Sequence, residues 1–219
     1  MTIHPENKLE NDPRIWRASQ HKSSILPTVT SGFSELDHLL AGDGWPRGAL
    51  IECHCPQTGI GEIELFRRAM ALCCRQQETL FWVDPPHTPY VPALERADMT
   101  PEQFFLIRTT DDEDQVWTLE QLLQCPSSGL VMGWSRRRNP SHLRRLQLAS
   151  ENGDTMGIMM ITSGPARAPS PAPVRIALAA ANGQALDLEI QRQRGGQPGS
   201  LRLPLAPVIA DAGIHRLGG

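Results

Sequence analysis

The residues with the clearest chemical meaning form a glycine-bearing turn between a buried apolar run and an amphipathic segment. The turn, Cys55 to Ile63, has the layout of a phosphate-binding loop. In such a loop, backbone N–H groups surround the phosphates, a lysine neutralises them and a hydroxyl holds Mg²⁺. The turn contains Gly59 and Gly61, but Glu62 stands at the lysine position and Ile63 at the hydroxyl position. Because a carboxylate repels a triphosphate, these residues predict the outline of a nucleotide site without its chemistry.

Lysine is almost absent from the chain. The only two lysines, Lys8 and Lys22, precede the first apolar segment, and every later basic residue other than histidine is an arginine. No lysine can therefore replace the one missing from the turn. Chemistry that needs a lysine in the folded part, such as formation of a Schiff base, is excluded for the same reason.

Arginines are concentrated in one acid-free stretch, from Ser135 to Arg145. Five arginines in eleven residues could contact the phosphates of DNA. The alternative is a solvated loop and helix face, which agrees with the net charge of −3 and with the lack of interleaved aromatic residues other than Trp134. The five arginines are Arg136, Arg137, Arg138, Arg144 and Arg145.

The cysteines indicate packing rather than metal binding. Cys53, His54 and Cys55 offer three ligands, but adjacent strand residues point to opposite faces, and the sequence has no second ligand pair of zinc-finger type. We therefore expect free, mostly buried thiols, no metal and no cofactor. The odd count of five cysteines and an N-terminus without an apolar signal region predict a reducing, cytoplasmic location. No apolar run reaches 18 residues, so we expect no membrane association.

Alternating strands and helices must position these residues. With 219 residues, 40% of them hydrophobic and 21% charged, the composition excludes a collagen-like, coiled-coil or fully disordered chain. From Leu26 to Gly164 short apolar runs alternate with amphipathic segments, which predicts an α/β fold with a mainly parallel sheet flanked by helices. Residues 174–181, 185–193 and 200–205 predict C-terminal antiparallel strands that extend this sheet.

The sequence therefore divides into five parts. A polar arm, predicted to be flexible, precedes the core, and a proline-rich link connects the core to the C-terminal strands and a tail. Their boundaries are 1–25 for the arm, 26–164 for the core, 165–173 for the link, 174–206 for the strands and 207–219 for the tail.

Two adjoining stretches, Thr30–Asp37 and Gly44–Gly48, resemble the opening of the RecA ATPase core. More closely, the chain resembles the ImuA family of RecA-like proteins, which is associated with SOS-induced translesion DNA synthesis. The stretches that carry this resemblance are Gly44–Leu50, Gly59–Glu62, Trp82–Tyr90 and Leu143–Ala149. The resemblance runs from about residue 14 to residue 205 and implies a RecA-like core of the P-loop type.

Departures from RecA imply that this core does not hydrolyse ATP. Pro86 matches the catalytic glutamate of RecA, and Gly133 matches the metal-binding aspartate at the end of the fourth core strand. A proline can neither orient the attacking water nor accept its proton. Together with Glu62 and Ile63, these residues leave four required groups missing, so the resemblance implies no catalytic residue.

The ImuA resemblance implies a non-catalytic role in binding proteins. Its expected partners are an ImuB-like polymerase-related protein, an error-prone polymerase subunit and RecA, and its expected location is the cytoplasm, at the nucleoid when DNA is damaged. Arg192 and Arg194 match two RecA lysines that reach the neighbouring subunit's nucleotide, which makes them candidate partner contacts. The alternative is a pair of solvent-facing arginines on an edge strand. Trp16 in the arm either binds a partner or packs onto the domain.

A second resemblance leaves another function open. Residues 129–162 also resemble SulA, the SOS inhibitor of cell division, which binds FtsZ. SulA has little need of the front half of this chain or of the strands after Pro173. The presence of both parts favours the ImuA-like function.

Overall fold

One eight-stranded sheet organises the protein. The computed structural model describes residues 26–182 and 184–205, so the arm, Trp16 and the tail lie outside the described residues. The strands are β1 (Thr28–Val29), β2 (Trp45–Pro46), β3 (Ala49–His54), β4 (Thr79–Val83), β5 (Phe104–Ile107), β6 (Ser128–Ser135), β7 (Met156–Ile161), β8 (Val174–Ala181), β9 (Ala185–Gln193) and β10 (Gly199–Pro204). The helices are α1 (Ser34–Leu39), α2 (Glu64–Arg75), α3 (Val91–Arg96), α4 (Asp112–Gln124) and α5 (Pro140–Gly153), with a 3₁₀ turn at Pro101–Gln103.

The large sheet is mainly parallel, with strand order β10-β9-β8-β3-β7-β6-β4-β5. The pairings from β8 through β3 to β5 are parallel, whereas β9 pairs antiparallel with β8 and β10 pairs antiparallel with β9. This arrangement confirms the predicted α/β fold with C-terminal antiparallel strands, except that β8 joins β3 in parallel. β8 starts level with Ile51 and passes the end of β3 at His54, so the β8–β9 hairpin projects beyond the carboxyl edge of the sheet.

Alternation along the strands builds a core on each face of the sheet. In β6, Leu130 and Met132 pack into the core that contains α1 and α2, whereas Val131 packs into the core that contains α4 and α5. Asp111 caps α4 by accepting hydrogen bonds from two backbone N–H groups of its first turn. Asp111, in the acidic run at the start of this helix, therefore has a structural role as its N-cap.

A two-stranded ribbon, β1 with β2, escaped the sequence analysis because two-residue strands have no periodic pattern. Trp45 of this ribbon is fully buried, lies 5.0 Å from the ring of Phe66, and donates its indole N–H to the backbone oxygen of Leu65 at 3.0 Å. The ribbon thereby attaches the segment before β3 to α2. Within the described ranges, no helix has the length and apolar character needed to cross a membrane.

Candidate functional site

The glycine-bearing turn lies where parallel α/β sheets usually bind ligands. It follows the carboxyl end of β3 and leads into α2, close to the ends of β4 and β6. In open α/β sheets, ligands sit in the crevice at the carboxyl ends of the strands. The predicted position of the turn, between a buried strand and a helix, is confirmed.

Glu62 occupies the hydrogen-bonding groups of its own loop. Its carboxylate accepts the N–H of Gly59 at 3.1 Å and the N–H of Ile60 at 3.0 Å, and the side chain is only 5% exposed. Successive N–H groups in such a turn form a concave site for an anion. Here the anion is supplied by the chain itself, so a phosphate would have to displace a buried carboxylate.

The end of β10 closes another side of the loop. Gly61 has φ +98°, and a Cβ added there would lie 2.1 Å from Leu205 Cδ1. Ile63 precedes the first residue of α2 and packs against the α1–α2 core, so the position that would hold Mg²⁺ carries a hydrocarbon. Glycine is thus required at position 61 both by backbone conformation and by contact.

The cysteines beside the loop are protonated thiols. Burial, assisted by the nearby carboxylate of Glu62, raises the pKa of Cys55 to about 12, and burial also raises the pKa of Cys53 well above its usual range. Cys55 donates its S–H to the backbone oxygen of Gln57 at 2.9 Å, while His54 Nε2 lies 2.9 Å from the backbone oxygen of Gly164. Among the described residues, no group of three potential ligands is arranged to hold a metal.

The two other positions matched to RecA chemistry carry no functional group. A Cβ added to Gly133 would lie 2.9 Å from Leu119 Cδ1 and 3.2 Å from Met159 Sδ, so a carboxylate at this position would require both side chains to move. Pro86 is exposed after β4. The carboxylate of the preceding turn, Asp84, is held by the N–H of Thr109 at 2.8 Å and by the side-chain amide of Gln115 at 2.7 Å.

The five arginines that could contact DNA differ in their exposure and partners. Arg136, Arg137, Arg144 and Arg145 are exposed, and Arg145 also lies 2.6 Å from the carboxylate of Glu120. Arg136 and Arg137 also share a cavity of about 550 Å³ with Asp111 and Asp112, whose charges oppose phosphate binding.

Arg138 requires a correction to its predicted role. Its side chain is 6% exposed, and its Nε donates to Glu52 Oε1 at 2.7 Å. Its other nitrogens donate to the backbone oxygens of Pro165 and Ala166. Arg138 therefore attaches the link to the sheet, and it is not available to bind a phosphate.

Sequence analysis missed the centre of this contact, Glu52. Its side chain is 1% exposed, accepts the hydroxyl of Ser170, and lies 3.5 Å from Arg175 Nε on the neighbouring strand β8. The one available signal was a single charged residue inside the apolar run of β3. Such a residue is rarely buried without a partner.

Arg192 and Arg194 lie at and just beyond the end of β9. Both are exposed and flank the buried Gln193. Arg192 donates to the backbone oxygen of Ser170 at 3.3 Å, and Arg194 lies 3.8 Å from the carboxylate of Glu151. These weak contacts leave both guanidinium groups accessible to a partner.

A cavity of about 280 Å³ adjoins the loop on the side of β4 and α3. Its lining includes Glu62, Trp82, Pro86 and Trp134. Pro86, at the position that the resemblance matches to the catalytic glutamate, therefore forms part of a largely apolar wall.

When the chain was compared with protein-family models and with curated proteins, neither comparison found a match.

Proposed function

We propose that this protein is a non-catalytic, RecA-like accessory factor of SOS-induced translesion DNA synthesis that binds proteins instead of hydrolysing ATP. The observation that carries the proposal is the carboxylate of Glu62 on the N–H groups of Gly59 and Ile60. The same groups would have to bind a phosphate in an active nucleotide site.

Electrostatics supports the absence of ATP binding. Two like charges 4 Å apart repel by about 4 kcal/mol at the effective dielectric constant of a protein surface, and a triphosphate carries several charges. Displacing Glu62 would also cost the hydrogen bonds that its carboxylate accepts from the N–H groups of Gly59 and Ile60. The turn contains no lysine to offset either cost.

The proposed partners are an ImuB-like polymerase-related protein, RecA and, indirectly, an error-prone polymerase subunit. The proposed contact with RecA uses Arg192 and Arg194, which are accessible beside the end of β9. Any contact with DNA would use the exposed arginines Arg136, Arg137, Arg144 and Arg145, since Arg138 is buried in an ion pair.

Two experiments test this function. Equilibrium dialysis against labelled ATP and Mg²⁺ should show no retention, and retention with a stoichiometry near one would refute the pseudo-ATPase assignment. A pull-down of the tagged full chain from DNA-damaged cells should recover the ImuB-like protein and RecA.

The double variant Arg192→Glu, Arg194→Glu should lose RecA and keep the ImuB-like protein. The matched control is Arg202→Glu, which changes an exposed arginine on β10. An unchanged RecA signal in the double variant would refute the proposed interface. Recovery of FtsZ in place of both partners would instead favour the SulA-like function.

A further inference from the structure

The cavity beside the loop has features that neither ATP chemistry nor the RecA contact uses. Its volume is about 280 Å³, just below the range of roughly 300–1,000 Å³ that holds whole small-molecule ligands. It is also open to solvent at Tyr90, which is 68% exposed. A cavity of this size fits one large side chain better than it fits a cofactor.

Aromatic rings form the rigid part of this cavity. Trp82 and Trp134 meet edge to face, with centroids 5.2 Å apart and an interplanar angle of 63°. Trp82 also contacts Phe104 edge to face at 4.9 Å. Because neighbouring rings fix both indoles, their orientation does not have to be acquired on binding.

The charged groups of the lining give the cavity a negative balance. Glu62 and Glu64 contribute two carboxylates, and Arg67 contributes one guanidinium that lies 2.7 Å from the carboxylate of Glu64. With His87 counted as neutral, the net charge of the lining is −1. This balance disfavours an anionic occupant and favours a cation.

We propose that the cavity is a socket for an arginine side chain presented by a partner protein. A guanidinium is planar, weakly hydrated and always charged, so it suits the aromatic rings and the carboxylate of Glu64, while the carboxylate of Glu62, held by the loop N–H groups, contributes only its charge. A lysine ammonium is compact and strongly hydrated, and it matches the planar rings less well. The alkyl stem of the arginine would lie along Pro86 and Tyr90 at the mouth.

This proposal rests on the proposed function, because it names a docking surface of the same protein-binding module. It places that surface next to the loop, whereas Arg192 and Arg194 belong to a different edge of the sheet. One molecule could therefore contact two partners.

The experiment uses the full chain labelled with ¹⁵N and two probes of equal length. Nα-acetyl-arginine N-methylamide carries the guanidinium, and Nα-acetyl-citrulline N-methylamide replaces it with a neutral urea. The indole N–H signals are assigned with Trp82→Phe and Trp134→Phe. The arginine probe should shift both signals saturably, and the citrulline probe should bind at least about fivefold more weakly.

Two variants locate the binding. Ala93→Trp fills the cavity from an exposed position on α3 and should abolish the shifts. Glu64→Gln should weaken binding about two- to fivefold, whereas the control Glu113→Gln, a partnered acid on α4, should not change it. Circular dichroism verifies that each variant remains folded.

Equal binding of the two probes would refute the proposed arginine socket. Shifts of the indole N–H signals that persist in Ala93→Trp would also refute it. A wild-type dimer in sedimentation velocity that Ala93→Trp dissociates would show that a second copy occupies the cavity, which would overturn the partner assignment. Retention of ATP in dialysis would refute the proposed function and leave the result with the probes unaffected. The two failures are therefore distinguishable.

Discussion

The substitution Glu52→Gln tests how the link is held against the sheet. Glu52 faces two arginines: Arg138 Nε donates to it at 2.7 Å, and Arg175 Nε lies 3.5 Å away. The amide of glutamine has nearly the same size as the carboxylate but no charge. The substitution therefore changes the electrostatics of the cluster with little change in volume.

The expected loss of stability follows from the burial of the cluster. Glu52 is 1% exposed, while the side chains of Arg138 and Arg175 are 6% and 12% exposed. Breaking a buried ion pair by removing one partner typically costs about 3–5 kcal/mol, because a buried charge remains uncompensated. Here two guanidinium groups lose their shared counter-charge. Bonds from these arginines to the backbone of the link offset part of the loss, so we expect about 3 kcal/mol.

Urea unfolding followed by tryptophan fluorescence measures this loss. The matched control is Asp187→Asn, which removes the carboxylate from an exposed strand pair with Arg202 and should leave the urea midpoint unchanged. Trypsin provides a local readout, because Arg167 lies in the link with its side chain exposed. We expect several-fold faster cleavage after Arg167 in Glu52→Gln than in the control. A loss below about 1 kcal/mol with unchanged cleavage would refute the argument.

Four other predictions concern Glu62, Gly133 and the cysteines. Glu62→Ala should cost about 0.5–1.5 kcal/mol in thermal unfolding, because the partly solvated N–H groups of Gly59 and Ile60 lose the carboxylate as their acceptor, and a neutral effect would contradict the role of the carboxylate. Gly133→Ala should cost about 1–3 kcal/mol by overpacking against Leu119, and Gly133→Asp should cost more without giving ATPase activity, as a phosphate-release assay would show. At pH 8 iodoacetamide should modify Cys125 first, because a hydrogen bond from Ser127 lowers the pKa of that thiol, whereas burial raises that of Cys55 to about 12. Mass mapping that finds Cys55 modified first would refute this order. The folded state keeps the Cys55 proton that the unfolded chain loses near pH 9, so stability should fall as the pH rises from 9 towards 12.

Periodicity made the framework of the fold predictable from the sequence. β3 to β7 are short apolar runs, and the helices between them have apolar faces at helical spacing, so the order of elements follows directly. Periodicity could not predict that β8 pairs in parallel with β3. Whether a strand joins its neighbour in parallel depends on where the link re-enters the sheet, and the link is held by contacts from Glu52, Arg138 and Arg175. Such contacts have no local pattern in the sequence.

The candidate site was predictable in its residues but not in its contacts. The spacing of Gly59, Gly61 and Glu62 located the loop, and charge alone indicated that a triphosphate would be repelled. Sequence could not show that the Glu62 carboxylate binds the N–H groups of its own loop. The contact of Arg138 could not be predicted either. Arg138 lies in an arginine-rich stretch, and nothing in that stretch indicates that its partner is the buried Glu52, 86 residues away.

The residues at the positions that the resemblance matches to catalytic groups of RecA take part in the packing and hydrogen bonding of this structure. The Glu62 carboxylate accepts the N–H groups of Gly59 and Ile60, and Gly133 permits the close approach of Leu119 and Met159. Pro86 forms part of the wall of a cavity. A lysine at position 62 or an aspartate at position 133 would therefore disturb these contacts, and it would supply only one of the four groups that ATP hydrolysis requires. Under the proposed function, the loop and the cavity beside it would instead serve as a surface for binding proteins.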